Sequence, residues 1–460
     1  MNLVFVGAGL STPKKGNARV LRRHRYLNYG LLSLANGLAT NARCVFHGHF
    51  DDPRTTMADI KTIFPPSSPT TFLVSCPSFL ALEWSRTFVT LVRQEYGDCK
   101  VLFGGRWVVD GNVQHLAKLI PGVDAFVEGI AEATIGQHIR ALSGVSYELA
   151  PNAHSTFLQH GLSFLDYRKL FRPEEFVPSF EVSRGCGAGC VFCAEANVHL
   201  TAMKPPPLLC SEIATYRADV PNPIDRYYLE ASLFVPRMDW IEAFIRERQQ
   251  RGLQDIEWRT EARVDMFTPQ ALDLLAKAGL RVLDIGFESA SPIQLKRMKK
   301  ARDPQEYIER CEKLLRRASD AGILTKVNIL LFPGETRLTL DETAQWLTRN
   351  AEHISGVSIY PAVYYGFHRD DDPLWRYYCS LGASFAKHGG SLGISMMNLS
   401  PEISAYEAEA LAKEISAVHM GANSYYRLKS FSYFDPRYSF ADFVADIEGE
   451  GEGLSFGALQ

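Results

Sequence analysis

At 460 residues the chain is too long for one ordinary domain and predicts two or three, each able to bury a core. Its 46% hydrophobic and 22% charged residues and net charge of -3 exclude a global electrostatic attraction to nucleic acid or an anionic membrane. No apolar stretch reaches the roughly 18 residues of a membrane span.

In chain order, "MNLVFVGAGLSTPKKG" reads as a first strand and loop, its apolar run being too short for a signal peptide. Residues 1–145 then alternate apolar strands ("NLVFVGAG", "FLVSCPS", "KVLFGG", "AFVEGI") with helical patterns ("YGLLSLANGLA", "ALEWSRTFVTLVRQEYG", "VQHLAKLI"). Strands apolar on both faces and separated by helices predict a covered parallel sheet, hence a doubly wound, Rossmann-like α/β domain. Several strands end in small-residue turns, "GAG", "SCPS" and "GG", at the carboxyl edge where such sheets hold ligands. The run "TPKKGNARVLRRHR" sets seven basic residues, counting His24, in the first loop and the helix after it. It reads as a solvated face, with a phosphate or nucleotide site as the alternative.

Residues 146–178, with Pro151, Pro173 and Pro178, read as a linker. From 179 to 365 a second series runs "SFEVSRG", "RYYLEAS", "IEWRTEAR", "VLDIGFES", "TKVNILLF" and "SGVSIYPAV", with helical segments between. Six β/α units predict a partial TIM-type (β/α)6 barrel. Residues 366–460 read as a small C-terminal accessory domain ending in the acidic tail "DIEGEGEGLSFGALQ". Tyr360, Tyr364, Tyr365 and the run Asp370 to Asp372 are candidate substrate-pocket residues.

The nine cysteines are an odd number spread along the chain, which fits reduced thiols and a cytoplasmic location better than a disulfide framework. Three of them, Cys186, Cys190 and Cys193, crowd into "EVSRGCGAGCVFCAEA" directly after a strand. Three thiolates can hold a [4Fe–4S] cluster and leave one iron open to an external ligand, and the glycines let the backbone curl around the inorganic sulfides. A zinc knuckle completed by a distant ligand such as His199 is the alternative. The other six cysteines read as structural or incidental.

The spacing CxxxCxxC, with Phe192 before the last cysteine, resembles the signature of the radical S-adenosylmethionine (SAM) superfamily. "GFESASPIQLKRMKK" and "NILLFPGET" are similar to barrel segments of its subgroup of methylthiotransferases and cobalamin-dependent enzymes. The resemblance implies that SAM chelates the open iron and is cleaved to methionine and a 5′-deoxyadenosyl radical. It implies SAM contacts at Phe192 (adenine), Glu230 (amino group), Arg259 and Arg263 (carboxylate, or substrate), Glu288 and Ser289 (ribose), and Gly334 and Glu335 (adenine). It also implies a small-molecule substrate and a flavodoxin- or ferredoxin-type electron donor, with neither nucleic acid nor membrane as partner. No catalytic residue is assigned.

The first domain is similar to the cobalamin-binding domain that precedes the barrel in one radical SAM class. The resemblance implies cobalamin contacts at Ser75, Ser78, Gly104 and Gly105. Two features depart from it: the DxHxxG frame that delivers a histidine to cobalt is missing, although His47 and His49 stand in "VFHGHFDD", and Arg106 and Trp107 bring bulk to the "GGRW" turn. Cobalamin binding therefore stays open. With it, the expected reaction on a small metabolite, in natural-product biosynthesis, is transfer of a methyl group to carbon. Without it, the alternatives are radical dehydration, deoxygenation or carbon–carbon bond formation on a sugar or nucleoside. A cofactor sensor is the non-enzymatic alternative.

Overall fold

The computed structural model describes residues 1–10, 18–40, 43–109, 112–365, 371–387 and 393–448. The start of the basic run (residues 12–17), Asp370 and the tail from 449 lie outside the described residues. The chain divides into two compact units, one of residues 1–180, 212–224 and 433–454, the other of 181–211, 225–432 and 455–460.

In the first unit, five parallel strands are β1 (Asn2–Gly7), β2 (Val45–His47), β3 (Thr70–Ser75), β4 (Lys100–Gly104) and β5 (Ala125–Phe126), in the order β2-β1-β3-β4-β5. This is a doubly wound order whose direction reverses between β1 and β3, so the crevice at their carboxyl ends is the ligand position such sheets offer. β1 and β3 are in register from Asn2↔Thr70 to Gly7↔Ser75 and almost wholly buried. That two-sided burial is what their unbroken apolar runs predict. The helix Leu82–Tyr96 buries Trp84, Phe88, Val89 and Val92 at helical spacing.

The stretch 146–178 is packed rather than a loose linker. It carries the helix Pro151–His160 and buries Leu162, Leu165, Tyr167, Leu170 and Phe176. Tyr167 stacks edge-on against Phe180 and Tyr216, and its hydroxyl donates to Ser179 O. Its prolines start helical turns at Pro151 and Pro173 instead of marking a flexible joint.

The second unit's sheet is β6 (Ser179–Ser183), β7 (Arg226–Ala231), β8 (Glu257–Arg263), β9 (Leu280–Glu288), β10 (Leu324–Leu331) and β11 (Gly356–Pro361), adjacent in chain order. Each adjacent pair from β7 to β11 runs parallel. Helices including Pro206–Asp219, Met238–Gln250, Pro269–Lys277, Pro304–Asp320 and Arg337–Arg349 connect the strands, as an open six-unit partial barrel requires. Phe287 on β9 stacks on Trp346 with ring centroids 4.2 Å apart, tying the sheet to its outer helices.

Residues 366–460 are not a unit of their own. A small antiparallel sheet, β12 (Val363–Tyr365), β13 (Ser384–Lys387) and β14 (Ile394–Asn398), and the helix Ala405–Val418, which packs on β11, belong to the second unit. The helix Phe440–Glu448 belongs to the first, where Phe443 packs on Phe434 and Tyr438. The aromatic residues that mark this region in the sequence are spent on joining larger cores.

Candidate active site

The cysteine loop leaves β6 at its carboxyl end and is held by its own return segment. Cys186 N–H donates to Val198 O, Gly187 N–H to Glu195 O, Gly189 N–H to Ala196 O, and Val191 N–H to Met298 O. Gly185, Gly187 and Gly189 all have positive φ, at 80°, 65° and 77°. At Gly185 a side chain is impossible, because a Cβ would stand 2.2 Å from His199 O. A Cβ at Gly189 meets nothing within 4 Å and one at Gly187 only Val198 O at 3.5 Å, so these two turns border open space.

The three thiols lie close enough to act on one another: burial first, then Glu195, Cys186 and Cys190, pushes the Cys193 thiol up. Among the described residues no three His, Cys, Asp or Glu side chains group around a point where a single metal ion could sit. A cluster whose thiolates bind separate irons needs no such convergence, and three soft donors around an open, glycine-lined loop fit a [4Fe–4S] group.

Arg263, the last residue of β8, faces this loop. Its Nη1 donates to Cys190 Sγ at 3.4 Å and its Nη2 to Lys300 O at 2.7 Å, while Asp265 takes bonds from Nε and Nη2 at 3.0 and 3.1 Å. The guanidinium also lies over the Tyr307 ring. Beside it Lys300, nearly buried, reaches Glu288 at 3.0 Å. Glu288 has φ 78°, a left-handed conformation rare for a residue with a side chain, and it ends β9 where the pairing with β10 skips Phe287. Strain of that kind concentrates at functional sites. Cys186 to Gly189, Arg263 and Tyr307 border a cleft of about 810 Å3, within the range of ligand sites.

The other sequence-chosen residues divide into two groups. Phe192 meets Phe332, at the end of β10, edge to face with centroids 6.3 Å apart, and so adjoins the Gly334 turn. Glu230 is half-buried on β7, two residues beyond Tyr228 and hence on the same face of the sheet. By contrast, Ser289 and Glu335 are buried and bonded within the scaffold. The Ser289 hydroxyl pairs with Thr343 at 3.2 Å and accepts from Ser291 N–H. Glu335 accepts from Thr339 and from Phe332 N–H, and burial raises its carboxyl above the ordinary value. Gly334 has φ 89°, a left-handed conformation that side chains rarely adopt, and its carbonyl accepts from Arg297.

Arg259 lies away from the carboxyl edge. It sits four residues before Arg263, about 13 Å along the strand at roughly 3.3 Å per residue. There it pairs with buried Asp284, which also binds Lys326 at 3.1 Å, and it stacks over Tyr228, whose hydroxyl donates to Glu261. Burial acts to raise the Asp284 carboxyl, but Arg259 and Lys326 outweigh it and hold the group below the usual range. This charged floor was not singled out in the sequence, although the alternation Arg259, Glu261, Arg263 puts three charged residues on one face of β8. Tyr364 and Asp372 are likewise structural: the hydroxyl donates to the carboxylate at 2.9 Å, and Asp372 caps the helix Pro373–Ser380.

In the first unit, Ser75, Ser78, Gly104 and Gly105 all fall at the carboxyl ends of β3 and β4, beside the switch point. Asn28 Nδ2 donates to Ser75 Oγ at 3.0 Å. Gly105, at φ 103°, is required by the turn itself, since a Cβ would meet Cys76 O at 2.6 Å. Trp107 is half-buried against Phe79. His47 accepts from Asn28 N–H at 3.0 Å and stacks with His49, and both rings pack on Phe176. Burial pushes His47 down to about 3, and burial with its cationic neighbours lowers His49 as well. These rings are neutral packing groups. A corrin fits this edge only through backbone and small side chains. Of the basic run, Arg23 and Arg25 pair with Asp446 and Glu175.

Residues 180–347 match the radical SAM superfamily. The chain carries a radical SAM domain. That domain makes it an enzyme whose cofactors are a [4Fe–4S] cluster and SAM, with a small molecule as substrate. The radical SAM methyltransferase TsrM from Kitasatospora setae, solved with a tryptophan substrate and a SAM analogue, superposes with a TM-score of 0.59 at 18% identity, over 78% of this chain and 73% of that one. The cobalamin-dependent SAM radical enzyme OxsB superposes with a TM-score of 0.55 at 15% identity, over 83% of this chain but 55% of OxsB. At these identities the likeness is one of fold, and it extends past the radical SAM domain to the doubly wound domain before it. No curated protein matches the chain. No helix among the described residues is long and apolar enough to cross a membrane.

Proposed function

We propose that the protein is a cobalamin-dependent radical SAM methyltransferase acting on an unactivated carbon of a small metabolite in natural-product biosynthesis. The observation that carries this reading is the joining, in one chain, of the three-thiol loop to a doubly wound domain of order 2-1-3-4-5. TsrM and OxsB are similar to this chain in fold, and both are described with cobalamin bound. When bound, the cluster supplies an electron to SAM and the corrin carries the methyl group.

The chain's own residues bind and orient. Cys186, Cys190 and Cys193 hold the cluster, and Arg263 fixes one of those sulfurs. Phe192 and the Gly334 turn border the adenine, Glu230 meets the SAM amino group, and Glu288 reaches the ribose. Ser289 and Glu335 lock the strand ends that place these groups. Ser75, Ser78, Gly104 and Gly105 receive the corrin edge, with no histidine supplied to cobalt.

A second reading is direct radical remodelling without cobalamin, as in dehydration, deoxygenation or carbon–carbon bond formation. The turn after β4 favours it, because Arg106 and Trp107 bring bulk there, Trp107 half-buried against Phe79. Anaerobic titration with hydroxocobalamin separates the two. Stoichiometric binding supports the methyltransferase; SAM cleavage on adding substrate with no cobalamin bound leaves direct remodelling. The electron donor is a flavodoxin or ferredoxin, and a cytoplasmic location accords with reduced thiols.

A further inference from the structure

The segment "KRMKKAR", residues 296–302, places five cations in seven residues on a chain whose net charge is -3. It follows the short helix Pro292–Arg297 and leads into the helix Pro304–Asp320. Two of its cations are used internally: Arg297 donates to Gly334 O and Lys300 to Glu288. The other three, Lys296, Lys299 and Arg302, are exposed, and none forms an ion pair with a described residue. Lys299 is held outward at φ 52°.

This face adjoins the cysteine loop. Lys296, Lys299 and Arg302 border the same cleft as Cys186, Gly187 and Ala188, and Gly187 and Ala188 are themselves exposed. Met298 O accepts from Val191 N–H, so the basic turn and the cysteine loop are hydrogen-bonded to each other. The carboxylates nearby are committed elsewhere: Asp265 to Arg263, Glu306 to Arg310, and Asp303 to the N-terminus of its helix. A local positive field thus stands beside the exposed Gly187–Ala188 edge of the cysteine loop.

We propose that the face formed by Lys296, Lys299 and Arg302 is the docking surface for a small acidic one-electron carrier protein, which reduces the cluster across the Gly187–Ala188 edge. The inference rests on the radical SAM reading of the cysteine loop. Charge of one sign on this face, opposite in sign to the net charge of the chain, steers an acidic partner to the place where its electron is needed and repels misdocking elsewhere. In the step the carrier, a reduced flavodoxin or ferredoxin, loses one electron and the enzyme's cluster gains it. No bond between the two proteins forms or breaks. Uncommitted ammonium and guanidinium groups on a rigid turn suit transient, salt-sensitive contact, because nothing there has to be unpaired first.

The test compares the wild type with Lys296→Glu/Lys299→Glu/Arg302→Glu, both anaerobically reconstituted with SAM present. Cluster reduction is followed by visible bleaching and by the spin signal of the reduced cluster. With excess reduced flavodoxin, the wild-type rate should fall steeply with added salt. The triple variant should be slower by about tenfold or more and nearly independent of salt. Dithionite should reduce both proteins equally, showing that the variant is folded and its cluster intact. A variant reduced by flavodoxin at the wild-type rate, or a wild-type rate indifferent to salt, overturns the docking surface. Absence of iron from the reconstituted wild type would overturn the cluster reading itself, and the iron content reports that separately.

Discussion

On the proposed reading, the sulfur atoms of the cysteine loop and the groups that touch them carry the chemistry. The spacing of Cys186, Cys190 and Cys193 is what proposes them as the donor set, because a single tight loop can bring three thiolates to one cluster and glycine supplies its left-handed turns. Reconstituted wild type should hold about four irons per chain, and a triple Cys→Ala variant none; iron analysis with the visible spectrum checks this. Arg263 is different. Its partner Cys190 lies 73 positions away in the sequence, so only folding shows that the guanidinium meets a thiolate rather than open space. Hydrogen bonds to cluster sulfurs raise the reduction potential by stabilising the more negative, reduced state. Arg263→Met should therefore still assemble a cluster but titrate at a lower midpoint potential. An unchanged midpoint in a spectroelectrochemical titration would remove the residue from any role at the sulfur.

At the scale of elements, the apolar strands were legible because two-sided burial leaves few polar interruptions, and among the described residues ten of the eleven strands of the two larger sheets lie where the alternation predicts them. The exception is β2, a three-residue strand whose only sequence mark is "VFH". Roles within strands were less legible. Arg259 and Arg263 share a face by period, but the sequence does not say which of them reaches the carboxyl edge. The floor around Arg259 makes a stability prediction. Asp284 is buried between two cations, so Asp284→Ala should cost about 3–5 kcal/mol by taking from Arg259 and Lys326 the buried carboxylate they share, with Glu261 left 3.9 Å from Arg259. Denaturant unfolding measures it, and a much smaller loss would mean that water or a further anion already screens the pair. Glu335 makes a pH prediction. Its carboxyl is raised in the folded chain, so the stability it contributes is full below the unfolded value of about 4.3 and is lost as pH rises through the folded value. Glu335→Gln should keep the turn bonded, raise the melting temperature at neutral pH and flatten its fall as pH rises above the ordinary carboxyl value. Thr339 can turn its hydroxyl to accept from the new amide.

Across the whole molecule, the division into a doubly wound unit and a partial barrel followed from the two alternating series. The assignment of the last hundred or so residues did not, because aromatic content alone does not say which core receives it. Whether the first unit holds a corrin turns on its histidines and its turns. His47 Nε2 accepts from Asn28 N–H, and His47 and His49 stack on each other and pack on Phe176; since a neutral imidazole can ligate a metal, it is this bond and packing, not the charge state, that argue against a cobalt ligand. Their lowered values also set a sign: the unfolded chain protonates these rings below about pH 6.5 while the folded chain does not, so stability falls as pH drops from there. His47→Gln can keep an acceptor for Asn28 and should lessen that acid sensitivity. Neither substitution should alter the spectrum of bound cobalamin, since no cobalt–imidazole bond exists to lose. If His47→Gln or His49→Gln shifts the cobalamin bands of the anaerobic holoenzyme, an imidazole reaches the metal and the carboxyl edge must rearrange on binding. If the bands hold still while the acid midpoint moves, the two histidines are packing groups and the corrin is carried by the turns of β3 and β4 alone.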